Sequence, residues 1–160
     1  MGEILKQRLK MSKFESPVQE ATLALMAAAS GLRVNFDRTL AEVGLSGEQF
    51  NILRILRGAG KDGHPSGEIG CRMVDRSPDI TRRIDSLEKE GMVERERSTT
   101  DRRVVRVHIT KKGLDVLNEL QPKLKAFDTK LAANMSDIEF KHLSQLCEKI
   151  IEVENKVESE

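Results

Sequence analysis

Apolar side chains recur at steps of three and four along most of the chain, and alternate instead over one short interval near residue 100. Val18, Ala21, Leu25, Ala28, Leu32, Phe36 and Leu40 make one continuous stripe, which predicts a long amphipathic helix reaching about residue 42. Ser16-Pro17-Val18-Gln19 marks its start, with a capping serine, a proline in the first turn and a glutamine three residues after the cap. Ser46-Gly47-Glu48-Gln49 repeats the signal before Phe50, Leu53 and Leu56, so a second helix follows and stops at Gly58 and Gly60. The stretch from Gly58 to Gly67 holds four glycines and Pro65 and reads as a loop, after which Ser66 is expected to cap a short helix carrying Ile69 and Met73. Ser77, Pro78 and Asp79 then open a fourth helix, with Ile80, Ile84 and Leu87 on its apolar face and Gly91 just past its end.

After Gly91 the period changes. Met92 to Arg97 alternates loosely, Ser98-Thr99-Thr100-Asp101 is a polar turn, and Val105-Arg106-Val107-His108-Ile109 alternates cleanly, which predicts a β-hairpin. Thr110 is placed to cap a fifth helix running through Leu114, Leu117, Leu120, Leu124, Phe127 and Leu131, with Pro122 as a kink. Ser136-Asp137-Ile138-Glu139 is another capping box, and Leu143, Leu146, Ile150, Val153 and Val157 keep heptad steps in a sixth helix. That seam is too narrow for a core of its own and implies a second copy of the chain.

Composition narrows the function classes. At 160 residues the chain fits one compact domain with helical arms, not a large multi-domain enzyme. Lys and Arg number 27 against 26 Asp and Glu, so any nucleic-acid role must come from charge segregation. Such segregation is present. Arg97 to Lys112 holds six cations and one acid, whereas Asp137 to Glu160 holds seven acids and three lysines. The only aromatics are five phenylalanines, too few for modules that stack single-stranded bases on aromatic platforms.

Cys71 and Cys147 lie far apart and make neither a disulfide framework nor a metal motif, and His64, His108 and His142 show no i, i+4 pairing. No metal or cofactor is therefore expected. Cys71 beside Arg72 has the neighbourhood of a reactive thiol, although a small helix residue is the simpler reading. Lys61 in its glycine-rich stretch lacks the spacing and hydroxyl of a phosphate loop. No nucleophile and base pair is recognisable, no secretory signal is visible, and no apolar run is long enough for a bilayer. A soluble, cytoplasmic, non-enzymatic protein with no membrane partner is the expectation.

Helix, turn, helix and then a two-stranded hairpin is the order of a winged helix-turn-helix, a mainly α fold with a small β-hairpin wing. Residues 1–45 would form an N-terminal dimerisation helix and arm, 46–110 the winged domain and 111–160 the C-terminal dimerisation helices. With Ile80, Ile84 and Leu87 inward, a rotation of about 100° per residue puts Pro78, Arg82, Asp85, Ser86 and Lys89 outward, with Thr81 on the flank. Arginine pairs with guanine in the major groove, and hydroxyls reach bases or phosphates. The expected partner is double-stranded DNA. A winged helix used only to dock another protein is the rival reading.

Two segments carry a family resemblance. The run from Ser77 to Val93, and Asp101-Arg102-Arg103 followed by Ile109-Thr110, resemble the recognition helix and wing of the MarR family of bacterial transcriptional regulators. The resemblance implies DNA contacts from Ser77, Pro78, Thr81, Arg82, Ser86, Asp101, Arg102 and Arg103, with Arg103 as the wing arginine and Asp101 shaping the wing. It further implies a homodimer, acting as a repressor, on a pseudo-palindromic operator, and a small aromatic or anionic effector bound between arms and winged domain. Arg83, where relatives usually carry an apolar residue, and the long Gly58–Gly67 stretch depart from the pattern.

Overall fold

A computed structural model of the chain describes residues 2–74, 79–97 and 104–157. The expected start of the fourth helix at Ser77 and Pro78, and the expected wing tip Asp101-Arg102-Arg103, lie outside the described residues. Seven helices, three strands and one 3-10 turn are described, and the chain falls into two compact units, residues 1–120 and residues 121–160.

In the first unit, α1 (Glu3–Leu9) precedes α2 (Pro17–Ala41) and packs on it through the buried Leu5, while Arg8 Nη1 donates to the Ala27 carbonyl at 3.0 Å. The sequence reading had no element here. Seven residues are too few to hold a helix alone, so α1 exists by docking. Ser16 caps α2 as expected, accepting from Gln19 N at 3.1 Å, but Gln19 Oε1 reaches back to Glu15 N rather than to the cap itself. The helix exits through Gly44 at φ 74°, where Leu45 N donates to the Leu40 carbonyl and seats two buried leucines together.

The full capping box predicted at Ser46 and Gln49 starts α3 (Gly47–Ala59), whose Ile52, Leu53 and Leu56 are completely buried. The stretch from Gly58 to Gly67 is not a simple loop. It contains the 3-10 turn Gly60–Asp62, strand β1 (His64–Pro65) and the first residues of α4 (Ser66–Cys71). Two residues cannot display a period, which is why β1 is invisible in the pattern. Ser66 is likewise not the cap of α4 but its first residue, and its hydroxyl donates to the Val105 carbonyl at 3.3 Å. Gly63, at φ 57°, lets β1 approach β3, because a Cβ there would lie 2.5 Å from the Val107 carbonyl oxygen.

The next helix, α5 (Ile80–Lys89), begins after Asp79 as its N-cap. β2 (Val93–Arg97) and β3 (Val105–Ile109) form the predicted antiparallel hairpin, with Val93 opposite Ile109 and Arg97 opposite Val105. β1 adds to the other edge of β3, giving the order β1-β3-β2. The core joins Leu40, Ile52, Leu53, Leu56, Ile69, Ile84, Leu87, Val93, Val107, Leu117 and Leu120.

α6 (Lys111–Ala132) runs continuously through Pro122. Its start is fastened to the end of α5. Gly91, at φ 71°, closes α5 with Met92 N bonded to the Leu87 carbonyl, and the Met92 carbonyl accepts from Thr110 N at 3.0 Å. Thr110 Oγ1 donates to the Gly91 carbonyl at 2.7 Å and caps α6 by accepting from Gly113 N at 3.3 Å. Gly113 itself abuts the Met92 carbonyl oxygen so closely that no Cβ would fit.

In the second unit, α7 (Asp137–Val157) opens on the predicted box of Ser136 and Glu139. The Ser136 backbone N–H and hydroxyl hold the Glu139 carboxyl below the usual glutamate range.

Gly113→Ala should therefore destabilise the winged unit by about 1–3 kcal/mol, the usual penalty of forcing a methyl into filled space. Urea unfolding measures it, and a change below about 0.5 kcal/mol would show that the junction gives way freely.

Candidate nucleic-acid interface

α5 buries a narrow stripe, Ile80, Ile84 and Leu87, against α3, α4 and β2. Ten residues with three inward leave most of the helix surface to be defined by polar contacts. One flank is held by Arg95 on β2. Its Nη1 reaches Glu88 Oε2 at 2.5 Å, its Nη2 reaches Asp85 Oδ1 at 2.6 Å, and Nη2 also donates to the Thr81 carbonyl at 3.4 Å. Burial works against the Arg95 charge, but the two carboxylates outweigh it and raise the guanidinium above its ordinary value. The wing strand and α5 are thus fastened through one side chain.

The opposite flank meets α3, where Glu48 pairs with Arg83 at 2.6 Å and Gln49 Nε2 donates to Ser86 Oγ at 3.4 Å. Ser86 Oγ donates in turn to Glu90 Oε1 at 3.1 Å. Thr81, Arg82 and Lys89 remain exposed, and the Arg82 side chain is 83% accessible with Asp79 3.6 Å away.

Of the sequence-derived site residues, Thr81, Arg82 and Ser86 are carried by this one helix, while Ser77, Pro78, Asp101, Arg102 and Arg103 lie outside the described residues. Thr81 and Arg82 face solvent, as the helical count requires. Ser86 sits at the edge of that face with its hydroxyl between Gln49 and Glu90, and Asp85, also counted outward, is neutralised by Arg95. The wing strands add the exposed Arg97, whereas Arg106 is occupied by the Asp62 and Gly63 carbonyls at 2.8 and 3.4 Å.

Sequence reasoning missed Arg95, Glu48 and Gln49. The available signal for Arg95 was the acid pair Asp85 and Glu88, spaced i, i+3 on one helix flank just before a strand with arginines on the same face as Val93. Among the described residues no group of three or more His, Cys, Asp or Glu could hold a metal, and no helix is long and apolar enough to cross a membrane.

The model of the MarR family matches residues 45–105, the span from the cap of α3 to the start of β3. The transcriptional repressor MprA of Escherichia coli is 30% identical over 152 residues, covering 92% of this chain and 86% of the relative. The chain belongs to the MarR family. A crystal structure of a MarR transcription factor from Planctomyces limnophilus is 32% identical, covers 85% of this chain and 98% of its own, and superposes with a TM-score of 0.65. A MarR family regulator of Streptomyces coelicolor, solved in complex with DNA, shares the fold at a TM-score of 0.76, with 21% identity over 88% of this chain and 89% of that one. This MarR-family chain is therefore a winged-helix regulator.

Arg95→Met leaves Asp85 and Glu88 without their shared cation and should lower stability by about 1–2 kcal/mol. Thermal or urea unfolding reads the change, and a midpoint equal to that of the parent chain would mean that α5 and the wing are joined by their apolar contacts alone.

Proposed function

We propose that the protein is a homodimeric repressor that binds a pseudo-palindromic operator in double-stranded DNA. The observation that carries this reading is the outward face of α5, where Arg82 and Lys89 are exposed while the acids on the same helix are engaged by Arg95 or turned to the flank. In this reading Arg82 and Thr81 read base edges, with Ser77, Pro78 and Ser86 at the border of the contact. Asp101, Arg102 and Arg103 form the wing tip that reaches the backbone or the adjacent minor groove.

A second copy is supported by α7, whose Leu143, Leu146, Ile150 and Val153 are exposed at 45%, 55%, 44% and 60% along one heptad seam. α2 adds exposed Val18, Met26 and Leu32. An uncovered apolar stripe of this kind marks an interface. Two-fold symmetry then sets two recognition helices on half-sites about one helical turn, roughly 10 bp, apart. Repression follows from occupancy of a promoter. A small aromatic or anionic effector would act by binding one geometry of the helical arms better than the other. The names of the relatives, a transcriptional repressor and a regulator solved with DNA, support the same reading.

Arg82→Ala should weaken binding to the selected operator by about 1–3 kcal/mol and to random DNA by less. Arg103→Ala should weaken binding to all sequences and lower the salt slope by about one unit. Salt-dependent gel shifts measure both, and a wild-type chain indifferent to duplexes in dilute buffer overturns the function. Ile150→Glu should shift sedimentation from dimer to monomer, and an unchanged dimer would remove α7 from the interface.

A further inference from the structure

The flank of α5 that faces α3 is tied to two adjacent residues of the first turn of α3. Glu48 Oε2 lies 2.6 Å from Arg83 Nε, and Gln49 Nε2 donates to Ser86 Oγ at 3.4 Å. Gln49 is itself buried, and its Oε1 already accepts from Ser46 N at 2.9 Å, so its amide is fixed by the capping box of its own helix. The two α5 partners, Arg83 and Ser86, are three residues apart and therefore neighbours on one side of the helix. Arg95 holds the other side through Asp85 and Glu88. Between these ties the inward stripe consists of Ile80, Ile84 and Leu87 alone.

From this arrangement we infer that Glu48 and Gln49 are positioning residues for sequence discrimination, setting the roll of α5 about its axis and hence which base edges Arg82 and Lys89 reach. The inference rests on the DNA-binding reading above. Its magnitude follows from helix geometry. Side-chain tips lie about 5–6 Å from a helix axis, so a roll of about 15° moves them by about 1.5 Å. Hydrogen bonds to base edges span only about 0.5 Å of donor–acceptor distance. Attraction of a cation to phosphate falls off gradually with distance and tolerates such a shift. Loosening the tie thus erodes base reading and spares backbone attraction.

Charge gives the test its direction. Glu48→Gln removes an acid beside the interface, which on electrostatics alone would tighten binding to every duplex. A mere loss of folding would weaken binding to every duplex. The positioning role separates the two affinities. The experiment selects a duplex from a random-sequence pool with the wild-type full-length chain, then measures affinity for it and for a scrambled duplex at fixed salt. The chains compared are wild type, Glu48→Gln, Arg83→Gln, the double variant and Gln49→Met, which breaks the Ser86 tie without altering charge.

The expected result for Glu48→Gln is a drop of about tenfold in the ratio of selected to scrambled affinity, within the range of one lost base contact. Scrambled affinity should be equal or higher, and the salt slope unchanged. The double variant should lose no more of the ratio than either single change, because both cut the same tie. Gln49→Met should also lower the ratio. A ratio preserved in both Glu48→Gln and Gln49→Met, or a parallel fall of both affinities, overturns the positioning role alone. A wild-type chain that selects no duplex overturns the DNA-binding reading with it.

Discussion

α5 cannot hold itself in place, and the rest of the molecule is arranged around that constraint. A ten-residue helix is below the length at which a helix is stable in water, and it buries only three apolar side chains. Its position is therefore imposed from outside by four sets of contacts. Ile80, Ile84 and Leu87 fix its depth in the core, and Arg95 and the Glu48–Gln49 pair fix its flanks. The knot of Gly91, Met92, Thr110 and Gly113 fixes its C-terminal end to the beginning of α6. That last attachment joins the end of α5 to the start of α6 through backbone hydrogen bonds.

The same contacts organise the charge. With a net charge of +1 the chain cannot attract DNA through its overall field, so local order must supply the potential. Carboxylates on a helix that approaches phosphates would repel them. Here Asp85 and Glu88 are paired with Arg95, whereas Arg82 and Lys89 extend outward. Arg95 thus offsets two of the acids on α5, while Asp79 stands 3.6 Å from Arg82. Arg106 has a different task, since it closes the 3-10 turn onto β3 through two carbonyls and stabilises the edge of the sheet.

α7 presents the complementary problem. Its capping box is local and complete, yet its apolar heptad positions are exposed within one chain. Each buried aliphatic side chain is worth about 1.5–3 kcal/mol, so four uncovered ones on a single seam make an unpaired chain a poor end state. Acids concentrate toward the C-terminus and cations toward the hairpin.

What the amino-acid order determined by itself was everything that acts over three or four residues. The capping boxes at Ser46 and Ser136, the serine cap at Ser16, the glycine at the end of α5 and the buried stripes of α3 and α5 are all local patterns, and all are present. The change of period at Gly91 located the hairpin for the same reason. What only the tertiary structure decided depends on partners distant in the chain. β1 is a strand because β3 lies beside it some forty residues later, and Ser66 gives its hydroxyl to Val105 instead of capping its helix. α1 is a helix because α2 receives Leu5 and Arg8. Helical counting placed Ser86 and Asp85 on the outer face but could not foresee that Gln49 and Arg95 would engage them. Spacing along a chain encodes which way a side chain points, and only folding supplies what stands there to meet it.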